Sequence, residues 1–195
     1  MVLAPAAYSK KKKKKKNKCR VAKFHFKAKD ATGKLHNLQN FKEPVVLAVY
    51  AGKNTADVNE DVHDGLKKDK DLKKGGELNS YFNAFGVANY QETWVPNAII
   101  AYLIKRKIEK YKVTIWDDRD NCFSGSGESD DCLDKKRRKI FVDGKQNSTV
   151  FYKGRKMRNF VGDLNKQKFI DYIKTLARAA KEKKNFCEAK ELANY

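Results

Sequence analysis

The stretch from Ile140 to Ala180 constrains the fold of this chain most, because its apolar spacing changes period once, at an identifiable glycine. Lys139-Ile140-Phe141-Val142 is a short apolar run, and Asp143-Gly144-Lys145 is a turn signal. Thr149-Val150-Phe151-Tyr152 is a second β-rich run, after which Lys153-Gly154-Arg155 turns the chain again. Met157, Asn159 and Val161 then share one face of a third short strand, stopped by Gly162. Beyond it, Phe169, Ile170, Ile173, Leu176, Ala177 and Ala180 fall on one stripe of an α-helix. Asp163 or Asn165 is placed to cap its start, and Lys181, Lys183 and Lys184 suit its negative C-terminal end.

Earlier segments must pack around that order. Ala22, Phe24, Phe26 and Ala28 alternate with Lys23, His25, Lys27 and Lys29, the pattern of a half-buried strand. Asp30-Ala31-Thr32-Gly33-Lys34 turns the chain, and Leu35 to Phe41 leads to Pro44. Val45-Val46-Leu47-Ala48-Val49-Tyr50 is apolar on both faces, as expected of a central strand covered on each side. Thr55 to Lys74 carries a thin helical stripe, Val58, Val62 and Leu66, with capping-box spacing at Asp57 and Glu60. Leu78, Tyr81, Phe82 and Phe85 predict a short helix ended by Gly86. Trp94-Val95-Pro96 opens another, with Ile99, Ile100, Leu103, Ile104, Ile108 and Tyr111 expected inward. Val113 to Trp116 reads as a strand, and 117–134 as a polar loop.

A chain of 195 residues fits one domain with extensions, and 41% apolar residues can supply its core. No apolar run approaches the ~18 residues of a membrane span. Met1 to Ser9 has no charge ahead of its apolar part, the wrong order for a secretory signal, so the default compartment is intracellular. The net charge is +20. Lys10, Lys11, Lys12, Lys13, Lys14, Lys15, Lys16, Lys18 and Arg20 supply nine of those charges, and +11 remains on the rest. Such a chain is drawn to polyanions: nucleic acid, anionic membrane or acidic protein.

The order strand, strand, helix, helix, strand, hairpin, helix resembles a thioredoxin-like fold with insertions. Two local features carry the resemblance. Asp30-x-x-Gly33-Lys34-x-x-x-Leu38, followed by Pro44-Val45-Val46-Leu47, is similar to the start of thioredoxin-like thiol oxidoreductases and peroxiredoxins. Ser148 to Gly154, then Val161-Gly162 and a helix, is similar to the end of thioredoxins and protein disulfide isomerase domains. The resemblance implies an α/β fold, a mixed central sheet flanked by helices, here with a basic extended N-terminal arm. It divides the chain into an arm (1–18), a thioredoxin-like domain (19–184, with insertions at about 75–110 and 117–138) and a C-terminal tail (185–195). It also implies where chemistry should sit. The family's Cys-x-x-Cys follows the strand matched by Val45–Tyr50, where Ala51-Gly52-Lys53-Asn54-Thr55 stands here, and its cis-proline is Ser148. On that ground the frame is expected to be redox-inactive and not an enzyme.

Candidate sites follow from charge and thiols. Lys10–Lys18 with Arg20 is a point-charge clamp for phosphates or an acidic protein surface. Lys135, Lys136, Arg137, Arg138 and Lys139 form a second basic run, either a solvated strand end or a contact patch. Neither run interleaves aromatics as a base-stacking platform would. Residues 117–134 are an acidic island without the alternating ligands of a calcium loop. Cys122 and Cys132 bracket that island; a disulfide and two free thiols are both open, and the spacing is long for a reactive pair. His25, His36 and His63 read as surface or strand residues, and Asn147-Ser148-Thr149 as turn chemistry rather than a used glycosylation sequon. Gly52-Lys53-Asn54-Thr55 lacks the spacing of a phosphate loop. No metal ligand set and no cofactor is expected. The reading reached from sequence is therefore a non-catalytic component of a large assembly, a minor capsid protein of a large virus, held to other subunits by its arm, with intracellular or virion location. A ribosome-like or other nucleic-acid-binding protein is the alternative, and a thiol–disulfide oxidoreductase using Cys122 with Cys132 the second.

Overall fold

The structure, a computed structural model, describes residues 21–24, 27–30, 32–52, 55–89, 96–118 and 145–194. Val45–Gly52 forms β3, the strand around which the others are laid. Its residues are apolar on alternate sides, so it is stable only with both faces covered. The sheet has five strands in the order β5-β4-β3-β6-β7: β4 is Phe82–Asn89, β5 Thr114–Asp117, β6 Asn147–Tyr152 and β7 Arg155–Val161. β3, β4 and β5 run parallel, while β6 and β7 are antiparallel. The β6–β7 turn is Lys153-Gly154, both with positive φ (49° and 73°), the conformation that matches the twist of a two-residue hairpin.

The parallel strands are joined by helices α1 (Glu60–Lys68) and α2 (Asn97–Tyr111). Both crossovers step the same way across the sheet, so the right-handed rule sets both helices on one face. Ion pairs join them there: Lys107 Nζ to Asp57 at 2.5 Å and Lys110 Nζ to Glu60 at 2.5 Å. Helix α3 (Lys166–Lys181) closes that face, its start capped by the Asn165 side chain accepting from Lys168 N–H. All six residues of its predicted stripe are buried, packed with Val45, Leu47, Val62, Leu66, Val150 and Tyr152. A short helix, α4 (Phe186–Leu192), lies beyond it in the stretch left as a tail, started by a capping box of Asn185 and Glu188. The opposite face is covered by β1 (Lys27–Lys29), β2 (Leu35–Asn37) and the chain to Phe41. Here Phe24, Leu38 and Phe41 pack on Val46, Ala48, Tyr50, Phe85, Trp116 and Phe151.

Three local expectations give way. Residues 82–89 form a strand, not a helix ended by Gly86; only Asn79–Tyr81 makes a 3-10 turn. Leu78, Tyr81, Phe82 and Phe85 fit a helical stripe, and periodicity alone does not tell a short buried strand from a helix. α1 begins at Glu60 after Asn59 in the left-handed region (φ 60°), so the Asp57 and Glu60 box does not start it. Ile100 and Ile104 of α2 are buried, but Ile99 and Leu103 lie about half exposed (50% and 47%).

Candidate functional site

β3 and β4 end side by side at Gly52 and Asn89, and β6 begins beside them at Asn147, paired with Tyr50. Open α/β sheets place their sites at this edge, where strand ends and helix starts converge. Carboxamides dominate it. Asn59 Nδ2 donates to Gln146 Oε1 (2.6 Å) and to the Gly162 carbonyl (2.8 Å), while Asn59 Oδ1 accepts from Leu164 N–H (2.7 Å). Gln146 Nε2 donates onward to the Thr55 carbonyl at 3.3 Å. Thr55 Oγ1 accepts from Gly52 N–H at 3.0 Å, closing the turn after β3. Thus the start of α1, the approach to β6 and the end of β7 are locked together. The left-handed φ of Asn59 costs least for asparagine among residues with side chains, which explains its use here.

A second chain of bonds runs along β6. Asn147 Nδ2 donates to the Lys145 carbonyl (2.8 Å), Asn159 Nδ2 to Asn147 Oδ1 (3.3 Å), and Thr149 Oγ1 to Asn159 Oδ1 (2.7 Å). Asn147, Ser148 and Thr149 are all buried within a strand, which corrects their reading as a turn and puts the sequon out of reach of modification in the folded chain. Ser148, at the proline position of the resemblance, buries its Oγ, and none of the described peptide bonds is cis. On the β4 side Asn89 Nδ2 donates to the Tyr50 hydroxyl at 2.8 Å.

Among the groups held well off their ordinary values are a histidine and an aspartate. His63 lies on α1, against expectation for a surface or strand residue; burial, aided by the Lys107 charge and opposed by Glu60, Asp61 and Asp64, lowers its pKa to about 4. Asp30 sits by the β1–β2 turn. Burial acts to raise its pKa, but hydrogen bonds from the Thr32 hydroxyl, His36, and the N–H groups of Thr32 and Lys34 outweigh this and hold it at about 2. His36 is half-buried in β2 and stacks on Trp116, ring centroids 5.6 Å apart.

The sequence-predicted site residues fall otherwise. Lys10–Lys18 with Arg20, Lys135–Lys139, and both Cys122 and Cys132 lie outside the described residues, as do Lys53, Asn54 and His25. What is described is where the segment carrying Cys122 and Cys132 is attached. It leaves at Asp118, whose N–H donates to the Ala88 carbonyl at 2.9 Å, and returns at Lys145 ahead of β6. Both attachments are on the edge occupied by Gly52 and Asn89. Cys19 also lies outside the described residues; Cys187, in the first turn of α4, is disulfide-bonded. Asn59 and Gln146 were not singled out by sequence reasoning, and Asn159 only as part of a strand face; 87 positions separate Asn59 from Gln146, so no local spacing could link them. Among the described residues no cluster of His, Cys, Asp or Glu could hold a metal ion, and no helix is long and apolar enough to cross a membrane.

The arrangement of strands and helices is thioredoxin-like, and comparison with solved structures gives the same answer. The chain is similar to an exposed lipoprotein thioredoxin of Streptococcus pneumoniae (TM-score 0.53, 12% identity, covering 78% of this chain and 100% of that one). It is similar too to a DsbF homologue from Corynebacterium diphtheriae (0.51, 13%, covering 79% and 85%). A third is a thiol:disulfide interchange protein of the thioredoxin family from Chlorobium tepidum (0.50, 16%, covering 81% and 97%). No family model and no curated protein matches the chain. These neighbours overturn the expectation of a non-catalytic virion component anchored among capsid subunits. One is named as a thioredoxin and another as a thiol:disulfide interchange protein, and none of the three as a capsid component. The non-enzyme reading inferred loss of function from one missing cysteine pair; the chain has four cysteines, and at least one is engaged in a disulfide.

Proposed function

We propose that the protein carries out thiol–disulfide exchange, with Cys122 and Cys132 as its reactive pair. The observation that carries this reading is the attachment of their segment, at Asp118 and Lys145, to the sheet edge beside Gly52. A thioredoxin-like frame needs its thiols at that edge; here a long connection between β5 and β6 would bring them, in place of the turn after β3. The braced carboxamides of Asn59, Gln146 and Asn147 would form the rigid floor under it.

The exchange follows ordinary thiolate chemistry. The Cys122 thiolate attacks one sulfur of a partner's disulfide, and the other sulfur leaves as a thiolate. A mixed disulfide results. Cys132 then attacks Cys122 Sγ, releases the partner with both thiols reduced, and leaves Cys122–Cys132 oxidised. Two electrons pass to the partner, and two thiols of the glutathione class restore the dithiol in turn, leaving together as their disulfide. The charge of +11 that remains without Lys10–Lys16, Lys18 and Arg20 steers acidic protein partners, and the lysine run adds a salt-sensitive attraction to polyanions, nucleic acid among them. A protein-disulfide reduction assay tests the reading: the intact protein turns over, Cys122→Ser does not. Equal, near-zero rates for both would end it.

A further inference from the structure

Cys187 is the one cysteine among the described residues, and it is disulfide-bonded. Its partner is therefore Cys19, Cys122 or Cys132. The described chain on either side separates these. Just ahead of α4, the Lys184 carbonyl accepts from the Tyr152 hydroxyl (2.8 Å) and from Lys153 Nζ (2.6 Å). Cys187 follows Lys184 by three residues, about 10 Å of chain at most. The N-terminal chain is held at the β6–β7 turn: Phe24 N–H donates to the Gly154 carbonyl at 2.7 Å, and Arg155 Nε to the Val21 carbonyl at 2.6 Å. Cys19 is two residues from Val21, a reach of about 7 Å at most.

The other two cysteines start from the far end of the sheet. Asp118 is bonded to Ala88, level with Ala51 of β3, whereas Lys153 N–H donates to the carbonyl of Pro44 at the opposite end. Seven residues of β3 between those levels span roughly 23 Å, and three strand spacings add about 14 Å sideways. Cys122 follows Asp118 by four residues, a reach of about 14 Å. That falls short of the turn even with the ~5–7 Å between α-carbons that a disulfide spans. Cys132 could get there only by drawing its segment the length of the sheet.

We infer that Cys187 is joined to Cys19. The bond staples the base of the lysine-rich stretch to α4, at the end of the sheet opposite the edge proposed for exchange. It also sorts the cysteines: one pair structural, and Cys122 with Cys132 left for exchange. Its formation takes two electrons and two protons from the two thiols; a small-molecule disulfide of the glutathione class accepts them and leaves as two thiols.

Peptide mapping of the unmodified full chain tests this without a variant that could misfold. Free thiols are alkylated without reduction, the protein is digested, and linked peptides are identified by mass. A peptide pair joining Cys19 to Cys187, lost on reduction, is expected. Cys187 linked to Cys122 or Cys132, or alkylated before reduction, would overturn the inference. A Cys19–Cys187 pair found in a protein with no reductase activity would count against the proposed function alone.

Discussion

Asn59 joins three segments that local sequence keeps apart, and its side chain makes three hydrogen bonds in doing so. Asn59→Ala removes all three and leaves an alanine at positive φ. Unpaired partners and backbone strain together should lower stability by about 3 kcal/mol, read as a fall in denaturant midpoint. Asn59→Asp keeps the acceptor for Leu164 N–H and the tolerance for that backbone, so its loss should be smaller. A pair of variants with equal, small losses would show that the brace is not what holds this edge. His63 and Asp30 set the pH response. The folded-state pKa of His63, about 4, is below its ordinary 6.5, so between those values the unfolded chain binds the proton more readily. Stability therefore falls as pH drops from 6.5 to 4. Asp30, at about 2 against 3.8, adds stability that is present above 3.8 and is lost as pH falls through 2. In thermal melts, His63→Gln should flatten the first window and leave the second; parallel slopes for both proteins between pH 6.5 and 4 would refute the assignment.

The connection from α1 to β4 shows how an element is fixed by backbone as much as by side chains. Asp69 Oδ1 accepts from the N–H groups of Asp71 and Leu72, and Leu78 N–H donates to the Asp71 carbonyl at 2.8 Å. Lys174 of α3 reaches down to Asp69 (3.2 Å) and Asp71 (2.6 Å). In this coil a Cβ on Gly76 would stand 2.3 Å from the Asp71 carbonyl oxygen and 2.5 Å from that of Lys70. Gly76→Ala should cost about 2 kcal/mol, since backbone must shift to admit it. Gly75, with φ +85° and nothing within 4 Å of such a Cβ, should cost only about 1 kcal/mol as Gly75→Ala. The reverse ranking would show that the coil is looser than its bonds imply. Elements were legible in proportion to how one-sided their burial is. The stripe from Phe169 to Ala180 could be only one face of a helix, and α3 follows it residue by residue. Val45–Tyr50 was legible because no surface element is apolar on both sides. β4 was not, because Phe82 and Phe85 fit a helix as well as a buried strand until β3 is known to need a neighbour. α4 was overlooked although Asn185 and Glu188 carry a capping-box signal; only Phe186 and Ala189 bury, too few for a stripe.

At the scale of the whole molecule, the thioredoxin-like frame was legible from two short motifs, and the structure agrees. The candidate site was not. The carboxamides that brace the edge, Asn59 with Gln146 and Asn147 with Asn159, meet only once the sheet has formed. Reading the missing cysteines after β3 as missing chemistry treated the site as a property of one turn. In the reading proposed here it belongs to an edge, and the described chain on either side of residues 119–144 is attached to that edge at Asp118 and Lys145. Trapping the exchange intermediate tests this most directly. Cys132→Ala, which cannot resolve, is mixed with an acidic protein disulfide and the adducts are mapped by mass. A mixed disulfide on Cys122, absent from the Cys122→Ser protein, is the predicted result; no adduct, or one only on Cys19 or Cys187, would contradict it.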